Sequence, residues 1–238
     1  MAYNSGLHFF IAHAISKRFG SRLVLDDVNF SVQQHEILGL IGPNGSGKTT
    51  LFECLAGLIP TDSGGVSFRG SALAPAHRKQ ALFYLPDAIR PWAHQTVSWV
   101  LTFFEALHSG HERKALVDSL GLDAVLKSRV SSLSKGELKR LLLALGLLTP
   151  HPLLLLDEPF DGLDFRQARD VMALLRTYPA RGRTLFLSIH QLTDAARVCD
   201  RLLLLSKGRV ACQGTLPELQ AQAGLPDGGL EEIFLALT

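Results

Sequence analysis

The sequence predicts an α/β fold: a mostly parallel sheet, an antiparallel β portion at the N-terminal end, and an inserted helical subdomain. Three observations carry this. Apolar runs of strand length alternate with helical patterns, which implies a parallel sheet with right-handed crossovers. The first third is strand-rich. The middle, 97–130, reads instead as helices.

In order, strands are expected at 8–14, 24–32, 37–41 and 65–69, with a helix at 50–56 after the third. The helices of 97–130 turn near Ser109-Gly110 and Gly121. Then come a helix at 135–148, a strand at 153–156, a helix at 166–176, a strand at 183–189 and a helix at 193–197. Strands at 201–206 and 209–213 flank the Lys207-Gly208 turn, and short helices close the chain. No linker, repeat or low-complexity tract interrupts the pattern.

At 238 residues the chain is long enough to bury a large core, as one domain or one domain with a subdomain. A net charge of +2 without a basic run points to neither nucleic acid nor an anionic membrane surface. Cys54, Cys199 and Cys212 are odd in number, widely spaced and free of any CxxC, so buried free thiols in a reducing compartment are expected. Residues 1–6 lack the charged and apolar regions of a signal peptide. The longest apolar stretch, 141–156, is broken by Thr149-Pro150-His151-Pro152 and is too short to span a bilayer.

The run Gly42-Pro43-Asn44-Gly45-Ser46-Gly47-Lys48-Thr49 fits G-x-x-x-x-G-K-[ST], the phosphate-binding loop. It lies between an apolar strand and the helix that Thr50 continues. Glycines let backbone N–H groups turn inward around a β-phosphate, and the helix N-terminus adds partial positive charge. Lys48 is expected on the β- and γ-phosphates and the Thr49 hydroxyl on Mg²⁺, with ATP as the nucleotide. The chain is therefore expected to have a P-loop NTPase core.

Two further apolar strands end in polar groups: 153–156 runs into Asp157-Glu158-Pro159, and 185–189 into His190. Ligands of open α/β sheets bind beyond the carboxyl ends of strands, so all three strand ends would meet at one site. There Asp157 would anchor Mg²⁺, Glu158 would polarise the attacking water as general base, and His190 would sense the γ-phosphate.

Leu133-Ser134-Lys135-Gly136-Glu137 resembles LSGGQ, the signature of ATP-binding cassette (ABC) ATPases. Phe160-Asp161-Gly162-Leu163-Asp164 is similar to that family's D-loop, and Ser188-Ile189-His190 to its switch histidine. The resemblance runs from about Leu7 to the C-terminus, with five motifs in family order. It implies a single ABC ATPase domain over 1–238, with an ATPase core of 1–88 and 151–238 and a helical subdomain of 89–150 that includes the signature. It also implies head-to-tail dimers, most simply homodimers, that close around two ATP. In them Ser134, Gly136 and Glu137 of one copy would complete the site of the other. Locally, Ser134-x-x-Glu137 also reads as a capping box that starts a helix.

Some residues depart from the family pattern. Lys135 replaces a glycine and Glu137 the usual glutamine. Asp87, closing Phe83-Tyr84-Leu85-Pro86-Asp87, replaces a glutamine that touches Mg²⁺ and the transport partner; aspartate keeps an oxygen ligand but is shorter and charged. Phe19 stands where the family keeps an aromatic under adenine. The stripe Trp92, Trp99, Phe103 and Phe104 lies in the lobe that docks the membrane partner in this family, although such stripes are more often core.

The resemblance implies an ATPase subunit of a transporter whose membrane-spanning part is a separate chain. Such a subunit is cytoplasmic and peripheral on the inner face of the membrane. The SKG form of the signature and the tail 228–238 are similar to the export branch. The alternatives are a soluble ABC ATPase, usually built with coiled-coil insertions or paired cassettes, and a regulatory subunit that does not hydrolyse. Glu158 and His190 argue against the latter, while Asp87 and Lys135 keep it open.

Overall fold

The computed structural model describes residues 8–87, 89–108 and 113–237. The segment 1–7 and the expected turn at Ser109-Gly110 lie outside them. The strands β1 (His8–Phe19) and β2 (Arg22–Gln33) form a hairpin, and β3 (Ile37–Ile41) leads into α1 (Lys48–Ala56). Next come β4 (Ser63–Phe68), β5 (Ser71–Ala72), the one-turn α2 (Arg78–Ala81) and β6 (Leu82–Leu85). The helices α3 (Val97–His108), α4 (Arg113–Ser119) and α5 (Lys135–Leu148) follow. After them run β7 (Leu153–Asp157), α6 (Phe165–Leu175), β8 (Thr184–Ile189), α7 (Leu192–Val198), β9 (Arg201–Ser206), β10 (Arg209–Gly214), α8 (Leu216–Ala223) and α9 (Leu230–Leu237).

Two sheets result. The antiparallel one has the order β2-β1-β4-β5 and the larger one β10-β9-β3-β8-β7-β6. Every pairing in the larger sheet is parallel except β9 with β10. Its strands β3, β7 and β8 are buried at every residue, which explains their mainly apolar sequences, broken only by Thr184 and Ser188 in β8 and by the terminal Asp157 of β7: a sheet covered on both faces has no polar side. Side chains alternate between the two faces. Leu38, Leu40, Leu153, Leu155 and Phe186 pack with α1 and the antiparallel sheet. Ile37, Ile41, Leu154, Leu156, Leu185 and Leu187 pack against helices, chiefly α5, α6 and α7. The α5 helix is buried over most of its length and also receives Val97, Val100 and Leu101 of α3.

Three features depart from the sequence reading. The edge strand β6 was not expected: Leu82-Phe83-Tyr84-Leu85 is too short to show a period, and only pairing with β7 makes it a strand. The β1 strand runs on to Phe19, past register shifts after Ala12 and an Ala14 with φ of 50°, and its polar Ser16-Lys17-Arg18 hides this extension. Cys54 and Cys212 are buried as expected, but Cys199 is only partly so. Among the described residues, no helix is long and apolar enough to cross a membrane.

Candidate active site

The strand β3 delivers the chain to a loop that needs glycine at two positions. Gly45 has φ of 77° and Gly47, the N-cap of α1, φ of 105°. A Cβ on Gly47 would also lie 2.9 Å from Leu25 Cδ2 and 3.1 Å from the Val24 carbonyl. Lys48, at the head of α1, is buried and donates to the carbonyls of Gly42 at 2.8 Å and Pro43 at 3.2 Å. Burial pulls its pKa down, while the nearby carboxylates of Glu158 and Asp157 push it up. Beside it the Ser46 Oγ is buried with no hydrogen-bond partner among the described residues.

Asp157 ends β7 and is held from three elements. Thr49 Oγ1 of α1 donates to its Oδ2 at 3.0 Å, and Tyr84 Oη of β6 to the same oxygen at 3.3 Å. Ser188 Oγ of β8 donates to its Oδ1. That serine oxygen also accepts from the Glu158 N–H at 3.0 Å, so one hydroxyl fixes both acidic residues. Glu158 has φ of 48°, a strained conformation for a non-glycine residue and one that concentrates at functional positions. Its Oε1 lies 3.3 Å from His190 Nε2. Burial, more than the neighbouring Asp87 and Asp157, pushes the Glu158 carboxyl above the ordinary value of 4.5.

A cavity of about 340 Å³ opens over the loop. Phe19, Arg22 and Val24 line one side; Asn44, Gly45, Gly47, Lys48, Thr49, Thr50 and Glu158 complete it. Phe19 is 51% exposed, so its ring is a wall of this cavity rather than core. The signature residues do not line it. Ser134 caps α5: its Oγ accepts from the Glu137 N–H at 3.3 Å, and Glu137 Oε2 accepts from the Ser134 N–H at 2.8 Å. Gly136 is pressed against the D-loop, where a Cβ would meet the Gly162 carbonyl at 2.9 Å. Lys135 pairs with Asp161 at 2.5 Å, and Asp87 with Lys139 at 2.5 Å. Neither pair joins the Thr49–Asp157 contact.

Sequence reading missed Tyr84, Ser188, Arg22 and Lys139. Ser188 carried a signal, as a hydroxyl inside the apolar run of β8. Of the aromatic stripe, Phe104 is buried, while Trp92, Trp99 and Phe103 stand 41%, 41% and 37% exposed and pack edge-on or stacked on one another.

A glycine-turned loop between a buried strand and a helix, facing an acidic strand end on the same sheet, defines the P-loop class of nucleotide-binding proteins. Within that class the chain belongs to the ABC transporter family, whose profile matches residues 25–161. It is 31% identical over 237 residues to the probable multidrug ABC transporter ATP-binding protein YbhF of Escherichia coli K12, covering 95% of this chain and 41% of that protein. Thus the chain spans about two-fifths of that relative's length. It is 36% identical over 209 residues to the Nod factor export ATP-binding protein I of Burkholderia pseudomallei, covering 84% of this chain and 68% of that one. A solved ATP-binding subunit of an ABC transporter superposes with a TM-score of 0.87 at 29% identity, over 96% of this chain and 99% of its own. An ATP-bound bacterial Atm1-family exporter shares the fold, with a TM-score of 0.82 at 22% identity over 98% of this chain and 42% of its own.

Proposed function

We propose that this chain binds and hydrolyses ATP, and that two copies close head-to-tail around two ATP to drive export through a separate transmembrane chain. The observation that carries this reading is the continuous set of contacts Thr49–Asp157–Ser188–Glu158–His190, which meets the cavity at Thr49 and Glu158. The donors fit a nucleotide with Mg²⁺: the cradle excludes side chains at Gly47, and Ser46 keeps an unused buried hydroxyl. Thr49 and Asp157 would hold the metal, while one Asp87 oxygen is taken by Lys139. Bound Mg²⁺ supplies charge neutralisation at the phosphate oxygens.

Phe19 offers its face to the base, and the backbone N–H groups at Gly45, Gly47, Lys48 and Thr49 turn to the phosphates. Lys48 exchanges the Gly42 and Pro43 carbonyls for β- and γ-oxygens. Glu158 takes the proton of the attacking water, while His190 steadies its carboxylate and meets the γ-phosphate. Ser134, the Gly136 N–H and Glu137 complete the site of the opposite copy. The 89–150 lobe, bearing the exposed Trp92, Trp99 and Phe103, would receive an apolar segment of the membrane partner and so hold the subunit on its cytoplasmic face. Similarity to a Nod factor export ATP-binding protein and to a probable multidrug ABC transporter ATP-binding protein favours export over import.

The test is Mg²⁺-dependent phosphate release from ATP, followed across pH. The raised Glu158 pKa means that the base becomes protonated, and idle, at a higher pH than an ordinary glutamate. Turnover is expected to fall as pH drops, with an acidic limb above 4.5, and the residual rate of Glu158→Gln should lack that limb. A wild-type limb that persists unchanged in Glu158→Gln assigns the titration to another group.

A further inference from the structure

Lys135 and Lys139 stand one turn apart on α5, so their side chains leave the same face of the helix. Each meets a carboxylate from a loop beside Glu158: Lys135 takes Asp161 and Lys139 takes Asp87. These carboxylates belong to one cluster, since Asp87, Glu158 and Asp161 each offer an oxygen within 4.8 Å of the other two. Three like charges this close repel one another unless a cation stands with them. The two lysines differ in weight. The Lys135 side chain is 64% exposed, and its pair is screened by water. The Lys139 side chain is 4% exposed, so its ammonium is out of water and depends on Asp87.

We propose that Lys139 is a positioning residue that acts as the resident counter-cation of this acidic trio. Its ammonium holds Asp87 and stands where the trio would otherwise gather a divalent cation. Metal is thereby left to Thr49 and Asp157, which lie outside the trio. The departure at position 87 then has a structural partner: Asp87 and Lys139 are complementary charges, joining the loop after β6 to the signature helix. The inference rests on the proposed ATP site only for its consequence. The ion pair and the acidic trio stand without it.

Mn²⁺ is the probe, titrated into nucleotide-free protein and followed by electron paramagnetic resonance. Lys139→Met removes the charge and keeps the apolar stem. It is expected to bind Mn²⁺ about tenfold tighter than wild type, because a hard-cation site strengthens with its uncompensated carboxylates. Adding Asp87→Asn should abolish that gain. Equal Mn²⁺ binding in wild type and folded Lys139→Met overturns the proposal, as does a gain that survives Asp87→Asn. Thermal unfolding supplies an independent check should Lys139→Met fold poorly. Asp87→Asn and Lys139→Met should each lower Tm, and the double variant should recover most of the loss. Strictly additive losses contradict the pairing. ATP binding measured on the same wild-type sample separates the two readings, since a Mn²⁺ gain without ATP binding removes only the nucleotide assignment.

Discussion

Glu158→Gln is expected to slow phosphate release by roughly 10²–10⁴-fold, the usual contribution of a general base, while ATP remains bound. Glutamine keeps the shape of the side chain but cannot accept the water proton. The groups assigned to binding, Lys48, Thr49 and Asp157, are untouched. The substitution also leaves in place the Glu158 N–H to Ser188 bond that shapes the strained turn. Because ATP is held but not cleaved, the variant should accumulate as a closed dimer with trapped nucleotide. Single-turnover phosphate release together with size-exclusion chromatography in ATP reads both effects. Wild-type turnover in the folded variant would show that the proton goes elsewhere.

Lys48→Ala is expected to act on binding instead. The ammonium is buried and donates to the loop carbonyls of Gly42 and Pro43, with the Glu158 and Asp157 carboxylates nearby. Truncating a buried charge that meets an opposite charge costs about 2–5 kcal/mol, equivalent to roughly thirtyfold to several-thousandfold in affinity. Fluorescent-ATP titration should therefore show Kd rising by at least that lower factor, with the circular dichroism spectrum unchanged. Unaltered affinity in a folded variant removes the phosphate-loop assignment.

How far the sequence is readable depends on the range of the interaction. The β3, β7 and β8 strands announce themselves because a doubly covered sheet demands predominantly apolar runs. The start of α5 is readable because its capping box is local, with serine and glutamate three residues apart. Pairings across the fold leave no such trace. Tyr84 reaches Asp157 only because β6 lies next to β7, and β6 is itself too short to be seen. In the sequence Lys135 could face the γ-phosphate or solvent, whereas the fold sets it on Asp161. Asp87 looks like a turn or metal carboxylate until α5 brings Lys139 to it. The exposed face of Phe19 likewise depends on how the β1–β2 hairpin leans over the loop, which no local pattern records.

The claim that two copies share two ATP sites is tested most directly by mixing two defective chains, one carrying Lys48→Ala and the other Ser134→Arg. Each is expected to occlude almost no ATP as a homodimer. In a head-to-tail heterodimer one site collects both lesions, while the other joins an intact phosphate loop to an intact Ser134. With heterodimers verified by native mass spectrometry, occlusion of one ATP per dimer is the expected result. Heterodimers that occlude no more ATP than either parent would show that Ser134 does not complete the opposite site, and would contradict the shared-site mechanism.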